Sequence, residues 1–357
     1  MQELGAWDRL DLQYDLQLTA RNLSGNLYGY INKYDVKLGT ADTIRIWSYD
    51  TGEFRDIDVK AAIQEVVDAS VVTSYVAFHT FDVTYYNNDI VAFCMTQWTY
   101  KDLGGSMVDT IVAISMTTGK VVPTLDGLNY FSLYEQLGTS NTTSAASIYK
   151  QAFTKTTKTE EYHGNGVLPF TPAAGEEILG ITQFFQNGAT LIRNPWKVTK
   201  ANGGGSIVQR FGLPTEIVSH VFGLSAADSK AAWTACHNLQ YTMYPDGRES
   251  LTMLVNTIAG SKFSWVYEFD IKLVPEGSVT PIVDSIFATT YRKTVLPFQT
   301  QAEGGARRIG KDINSSVYLV AAGISGLGLY CADSSGDSLN WSCDNCAYYD
   351  PYTFITL

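Results

Sequence analysis

The stretch "SYVAFHTFDVTYYNNDIVAFCMTQWTYKDLGGSMVDTIVAISMTTGKVVPTL", residues 74–125, decides how this chain folds. It divides itself. Runs of about ten residues rich in Val, Ile, Thr, Tyr and Phe are separated by "NND", "KDLGG" and "TTG". Such turn chemistry between β-rich runs builds hairpins, so the block predicts an antiparallel meander over 71–125. Just upstream, "DVKAAIQEVVDA" sets Val59, Ile63, Val66 and Val67 on one helical face, with Asp58 placed to cap it. A helix over 58–69 packed on the sheet follows.

Beyond this block the same grammar recurs. In "KFSWVYEFDIKLV", Phe263, Trp265, Tyr267, Phe269, Ile271 and Leu273 alternate with Lys262, Ser264, Glu268, Asp270 and Lys272. That pattern predicts a strand with one packed face and one face meeting polar surroundings. "VYLVAAGISGLGLYCA", 317–332, reads as a buried strand pair with a turn. "SAADSKAAWTACHNLQYTMY" reads as a helix over 225–243: Ser225 and Asp228 resemble a capping box, and "PDG" at 245–247 ends it. The fold class is therefore mainly β with a few helices, an α+β tendency. An antiparallel meander domain (1–137) is followed by a Ser/Thr/Gly/Pro-rich connection (138–175). A sandwich-like antiparallel sheet domain (176–357) comes last and carries a Cys/Asp-rich tail at 330–350.

Residues 85–120 resemble a family of extracellular bacterial sheet domains found in anti-sigma factors and cell-wall deacetylases. In that family a strand pair brackets a Gly-Gly loop, and a further strand and a "tGK" turn follow. The resemblance covers about a tenth of the chain and implies an extracellular setting.

Charge excludes one class of partner. The formal net charge is -11, and "ARR" and "YRK" are too short for a phosphate-binding footprint, so direct nucleic-acid binding is not expected. No apolar run is long enough for a membrane span. The opening residues lack the form of a signal peptide.

Several motifs mimic catalytic signatures. "GDSL" at 336–339 has no histidine after Ser338, and it reads as a turn. Asp50-Thr51-Gly52 has no second copy to supply the paired carboxylate of an aspartic protease. Cys331, Cys343 and Cys346 lack a near fourth ligand for zinc. They are disulfide candidates, Cys331 bridging Cys343 or Cys346. Asp333, Ser335, Asp337 and Asp344 occupy ligand positions of half a calcium loop, which makes calcium the one cofactor candidate. No catalytic residue is assigned. The histidines that would revive an enzyme reading beside carboxylates are His163, His220 and His237.

An aromatic, weakly charged, hydroxyl-rich chain suits an assembly subunit whose neutral surface is covered by neighbours. The leading expectation is a virion structural protein, a capsid or tail subunit that self-associates or binds other structural proteins. The alternative is an extracellular or cell-surface binding protein with a glycan as candidate partner. In that reading Trp47, Trp98, Trp196, Trp233, Trp265 and Trp341 are candidates to stack on sugars. A secreted hydrolase is a further alternative. The expected location is the virion or the extracellular space.

Overall fold

The computed structural model describes residues 15–17, 26–32, 43–48, 51–101, 107–123, 131–132, 164–173, 175, 177–183, 188–193, 207–211, 233–258, 264–271, 291–296, 305–308, 316–321, 327–333 and 336–343. They form twenty strands and one helix. The strands make five antiparallel sheets of four, and each sheet takes its strands in sequence order. We call these sheets blades I to V.

Blade I holds β1 (Asp15–Gln17), β2 (Asn26–Asn32), β3 (Thr43–Ser48) and β4 (Phe54–Asp58). Helix α1 (Val59–Val66) follows directly. Blade II holds β5 (Val72–Tyr86), β6 (Asp89–Tyr100), β7 (Met107–Ser115) and β8 (Phe131–Ser132). Blade III holds β9 (Gly164–Phe170), β10 (Ile178–Gln183), β11 (Gly188–Arg193) and β12 (Ile207–Phe211). Blade IV holds β13 (Trp233–Met243), β14 (Glu249–Ile258), β15 (Ser264–Asp270) and β16 (Tyr291–Leu296). Blade V holds β17 (Gly305–Arg308), β18 (Ser316–Ala321), β19 (Leu327–Asp333) and β20 (Gly336–Cys343).

The first strands of successive blades touch in series: β5 on β9, β9 on β13, β13 on β17. Four-stranded meanders whose first strands pack side by side are the blades of a β-propeller.

Blade II shows what this arrangement demands of a sequence. On β6, Ala92, Cys94 and Trp98 join Ile44, Ile46, Ile57 and the α1 residues Val59, Ala62 and Ile63 in one core. The alternate residues Val91, Phe93 and Met95 join Val167, Leu179, Ile181 and Ile192 of blade III in another. Both faces are covered, so β6 is buried almost without a break and reads as a continuous apolar run. The expected meander and helix are both present. Asp58 caps α1 by accepting a hydrogen bond from the Ala61 amide at 2.8 Å. Burial pushes the Cys94 thiol well above its ordinary range.

Blade I shields its outer strand. The Arg45 guanidinium donates to both carboxylate oxygens of Asp56, at 2.7 and 2.8 Å. It also lies 4.1 Å from the centroid of the Phe54 ring. Charge across an edge strand discourages pairing with another chain.

Two expectations are corrected by the strands. The helix over 225–243 is strand β13 where it is described, from Trp233 to Met243. A bulge hides the strand from sequence: the β13–β14 register shifts between His237 and Leu239, and Asn238 takes φ 50°. Burial therefore falls on His237, Leu239, Thr242 and Tyr244, which is not a strict alternation. Second, the connection at 138–175 contains β9, Gly164–Phe170. Its Ser/Thr-rich part, 138–158, lies outside the described residues. The polar side expected of β15 is present and meets polar surroundings, where Ser264 and Glu268 are buried. The strand pair expected over 317–332 is β18 and β19.

Asn238 tolerates the left-handed region better than most residues. Asn238→Gly should leave stability near wild type, whereas Asn238→Val should cost about 1–2 kcal/mol. Urea denaturation midpoints of the two variants check this.

Candidate functional site

Register in blade IV sorts its side chains into two faces. Residues paired across β13, β14 and β15 share a face: His237 with Leu254 and Val266, then Gln240 with Thr252 and Glu268. Thr242 and Ser250 continue it. The opposite face carries Leu239, Tyr241, Leu251 and Met253. That second face meets blade III: the Phe170 ring stacks on Tyr241 with centroids 4.8 Å apart.

The first face meets blade V, and it is polar and buried. Glu268 is 3% exposed and pairs with Arg308 of β17 at 2.5 Å. Ser250 donates to the same carboxylate at 2.8 Å, as does the Tyr244 hydroxyl. The Arg308 guanidinium stands 4.7 Å from the Tyr244 ring centroid, and that of Arg248 stands 4.2 Å from it. Gln240 completes the join. Its amide oxygen accepts from the Arg308 backbone N–H, and its Nε2 donates to the Arg308 carbonyl at 3.2 Å. The side chain thus bridges two first strands as a backbone pair would. His237, Thr242 and Thr252 are buried on this same face.

Polar ties also cross the other seams, but they are more local. Asp109 of blade II accepts from the Gly164 amide of blade III at 2.6 Å and from Gln97 Nε2 at 3.3 Å. Glu249 of blade IV accepts from the Ala173 amide at 2.7 Å and from the Tyr241 hydroxyl. Burial is the main cause that raises the Tyr241 phenol, and the Glu249 hydrogen bond and charge add to it. Arg55 of blade I donates to the carbonyls of Met116 and Thr117, beside blade II. In the nearby turn, Asp89 accepts from Ser115, from Thr117 at 2.6 Å and from the Ile90 amide. Partial burial raises this carboxyl, but the three hydrogen bonds outweigh it and hold Asp89 below the usual range.

The residues singled out from sequence lie elsewhere. Asp333 ends β19 and Asp337 sits in β20, so "GDSL" begins a strand; Ser335 and Asp344 lie outside the described residues. Cys331 stands opposite Ser338, and Cys343 stands opposite Leu327. Four positions of strand separate them, about 13 Å at the usual rise. A disulfide needs Cα atoms within about 7 Å, so the register is against a Cys331–Cys343 bridge. Cys346 lies outside the described residues. Thr51 and Gly52 form the β3–β4 turn, where the Gly52 amide donates to the Ser48 carbonyl at 2.9 Å. Trp98 is core, 1% exposed. Of the three histidines that bore on an enzyme reading, His237 joins the polar seam, and His163 and His220 lie outside the described residues. No group of three metal-ligating side chains occurs among the described residues. No helix among them is long and apolar enough to cross a membrane.

The polar seam is assembled from Gln240, Ser250, Glu268 and Arg308, residues 68 apart at the extremes. Only the alternation that put Ser264, Glu268 and Asp270 on one side of β15 hinted at it.

No family model matches the chain, and no curated protein matches it in sequence. Solved structures do resemble it. An endo-arabinase from Bacteroides thetaiotaomicron is 10% identical, covering 91% of this chain and 92% of its own, at a TM-score of 0.40. A levansucrase from B. megaterium is 8% identical, covering 93% and 85%, at 0.45. A lectin from Aleuria aurantia, solved with α-methyl-L-fucoside, is 8% identical, covering 75% and 64%, at 0.34. Likenesses this distant assign no ligand or reaction to the chain.

The expectation of a capsid or tail subunit is nonetheless overturned. The similar structures are an arabinase, a levansucrase and a lectin rather than virion components.

Two predictions follow from this geometry. Glu268→Ala leaves the buried Arg308 charge without its partner and should cost about 3–5 kcal/mol. Glu268→Leu with Arg308→Met should recover most of that loss in equilibrium unfolding. For Asp89, a folded value below the ordinary 3.8 means stability that is fully present above pH 3.8 and lost as pH falls through the folded value. Asp89→Asn should flatten the acid limb of a melting-temperature profile and leave its neutral region with little slope change.

Proposed function

We propose that this protein is an extracellular carbohydrate-binding β-propeller that engages its ligand where the first strands of the blades converge. One observation carries the reading: the first strands of blades II to V touch in series, which sets the polar residues they carry along neighbouring strands. Asp82 and Thr80 come from β5 and Asn238 from β13, whereas Gln240 and Arg308 are taken up by the polar seam. Asn238 and Gln240 are only partly buried, unlike the apolar residues that fill the seams on either side of blade II. Rigid strands that present several polar groups to one place suit a ligand recognised by many hydroxyls. The chain's aromatic, weakly charged composition fits the same class of ligand.

Glycoside hydrolysis is the second reading. It is favoured by Asp82, a carboxylate 6% exposed on a first strand.

A glycan array with the purified chain, followed by calorimetry on the best binder, tests the first reading. Specific retention of a neutral oligosaccharide is expected. Asn238→Gly, which removes the amide and keeps the backbone, should weaken binding about tenfold, the scale of a lost hydrogen bond. Absence of retention across the array would overturn the proposal. Release of new reducing ends from a retained glycan, abolished in Asp82→Asn, would favour hydrolysis over binding alone.

A further inference from the structure

On the carbohydrate-binding reading given above, we propose that His79, Asn165 and Asn238 form one ligand-reading belt across the first strands of blades II, III and IV. Its ligand is a neutral oligosaccharide recognised through pairs of neighbouring hydroxyls.

Three successive first strands each carry a bulge that holds a hydrogen-bonding residue. In β5, Val76 pairs with Gln97 and Thr80 with Met95, so Ala77, Phe78 and His79 stand opposite Thr96 alone. In β9, Gly166 pairs with Thr182 and Gly164 with Gln183, which leaves Asn165 outside the ladder. In β13, His237 pairs with Leu254 and Leu239 with Met253, which leaves Asn238 outside it at φ 50°. The other register shifts among the described residues, at Thr73, Val208 and Asn340, fall at the start of β5 or on the later strands β12 and β20.

Close packing sets the three bulges at one level. Gly164 and Gly166 flank Asn165, and neither has room for a side chain. A Cβ at Gly164 would lie 2.7 Å from Met95 Cε and 3.3 Å from Asp109 Oδ2. Met95 pairs with Thr80 and Asp109 pairs with Gln97, the two rows on either side of the β5 bulge. A Cβ at Gly166 would lie 3.1 Å from Asn238 Cα and 2.7 Å from the Thr182 hydroxyl oxygen. The β9 bulge therefore meets the level of the β5 bulge on one side and Asn238 itself on the other. The missing Cβ of glycine permits both approaches.

Bulges redirect a strand locally and recur next to binding and catalytic sites. The residues they hold here are chemically alike: two carboxamides and an imidazole. A carboxamide offers a donor and an acceptor side by side, and a neutral imidazole offers one of each. Neighbouring hydroxyls present the complementary pair, because each hydroxyl both donates and accepts. No Lys or Arg stands in these bulges, so an acidic sugar would find no counter-charge from them.

Neutral, sialylated and phosphorylated di- to tetrasaccharides are titrated into the full-length chain by calorimetry. The tightest neutral binder is then measured against His79→Ala, Asn165→Ala, Asn238→Gly and Asn340→Ala, with the melting temperature of each variant recorded. The first three should each bind about tenfold more weakly, the scale of a lost hydrogen bond. Asn340→Ala, which alters a bulge on a strand away from the belt, should keep wild-type affinity. Across monodeoxy analogues of that saccharide, at least one should lose affinity for the wild type but not for Asn165→Ala, the mark of a direct contact. Unchanged affinity in His79→Ala or Asn165→Ala, an equal loss in Asn340→Ala, or preference for a charged saccharide would overturn the belt and leave carbohydrate binding standing. Binding of no saccharide by the wild-type chain would overturn both. Should an alanine variant fail to fold, His79→Leu or Asn165→Asp keeps most of the volume, and the same loss is expected.

Discussion

A four-stranded sheet has two faces, and in blade II neither can be left to water. That constraint organises everything else. On β6, Phe93 and Met95 point one way and Cys94 and Trp98 point the other, and all four are buried. A sheet with two apolar faces needs a neighbour on each side. The chain meets the need by repeating one simple unit, a meander of four strands, and standing each copy against the next. Short hairpin turns make the unit; first strands packed in series make the array.

Where the seam chemistry changes, the character of the protein changes with it. Blades I and II are joined mainly by hydrocarbon, and the seam between II and III mixes apolar residues with the buried Asp82, Gln97 and Asp109. Blades IV and V are joined by an ion pair, hydroxyls and a glutamine that imitates a strand. Apolar contact is indifferent to small shifts, whereas the bonds on Glu268 and Arg308 fix position and direction. The polar seam gives one defined geometry.

Much of the fold was legible in local sequence. The turns at 87–89 and 117–119, the period-two pattern of β15 and the Asp58 cap all act within a few residues, so they were written plainly. The helix expected at 225–243 failed for an equally local reason. Ala-rich composition favours a helix, and one bulge at Asn238 disguised the alternation of β13. The tail motifs at 330–350 drew attention by residue type, yet "GDSL" belongs to a hairpin strand whose register parts Cys331 from Cys343.

By itself the sequence determined a β-rich chain of hairpins and its acidic balance, because propensity, turn chemistry and net charge are properties of neighbouring residues or simple sums. Tertiary structure alone decided that the sheets stand as blades, that Glu268 faces Arg308 rather than solvent, and that His237, Gln240 and Thr252 share one buried seam. Those partners come from different strands and different blades. Their meeting depends on how whole sheets pack against each other, and no local pattern encodes which polar face will find which.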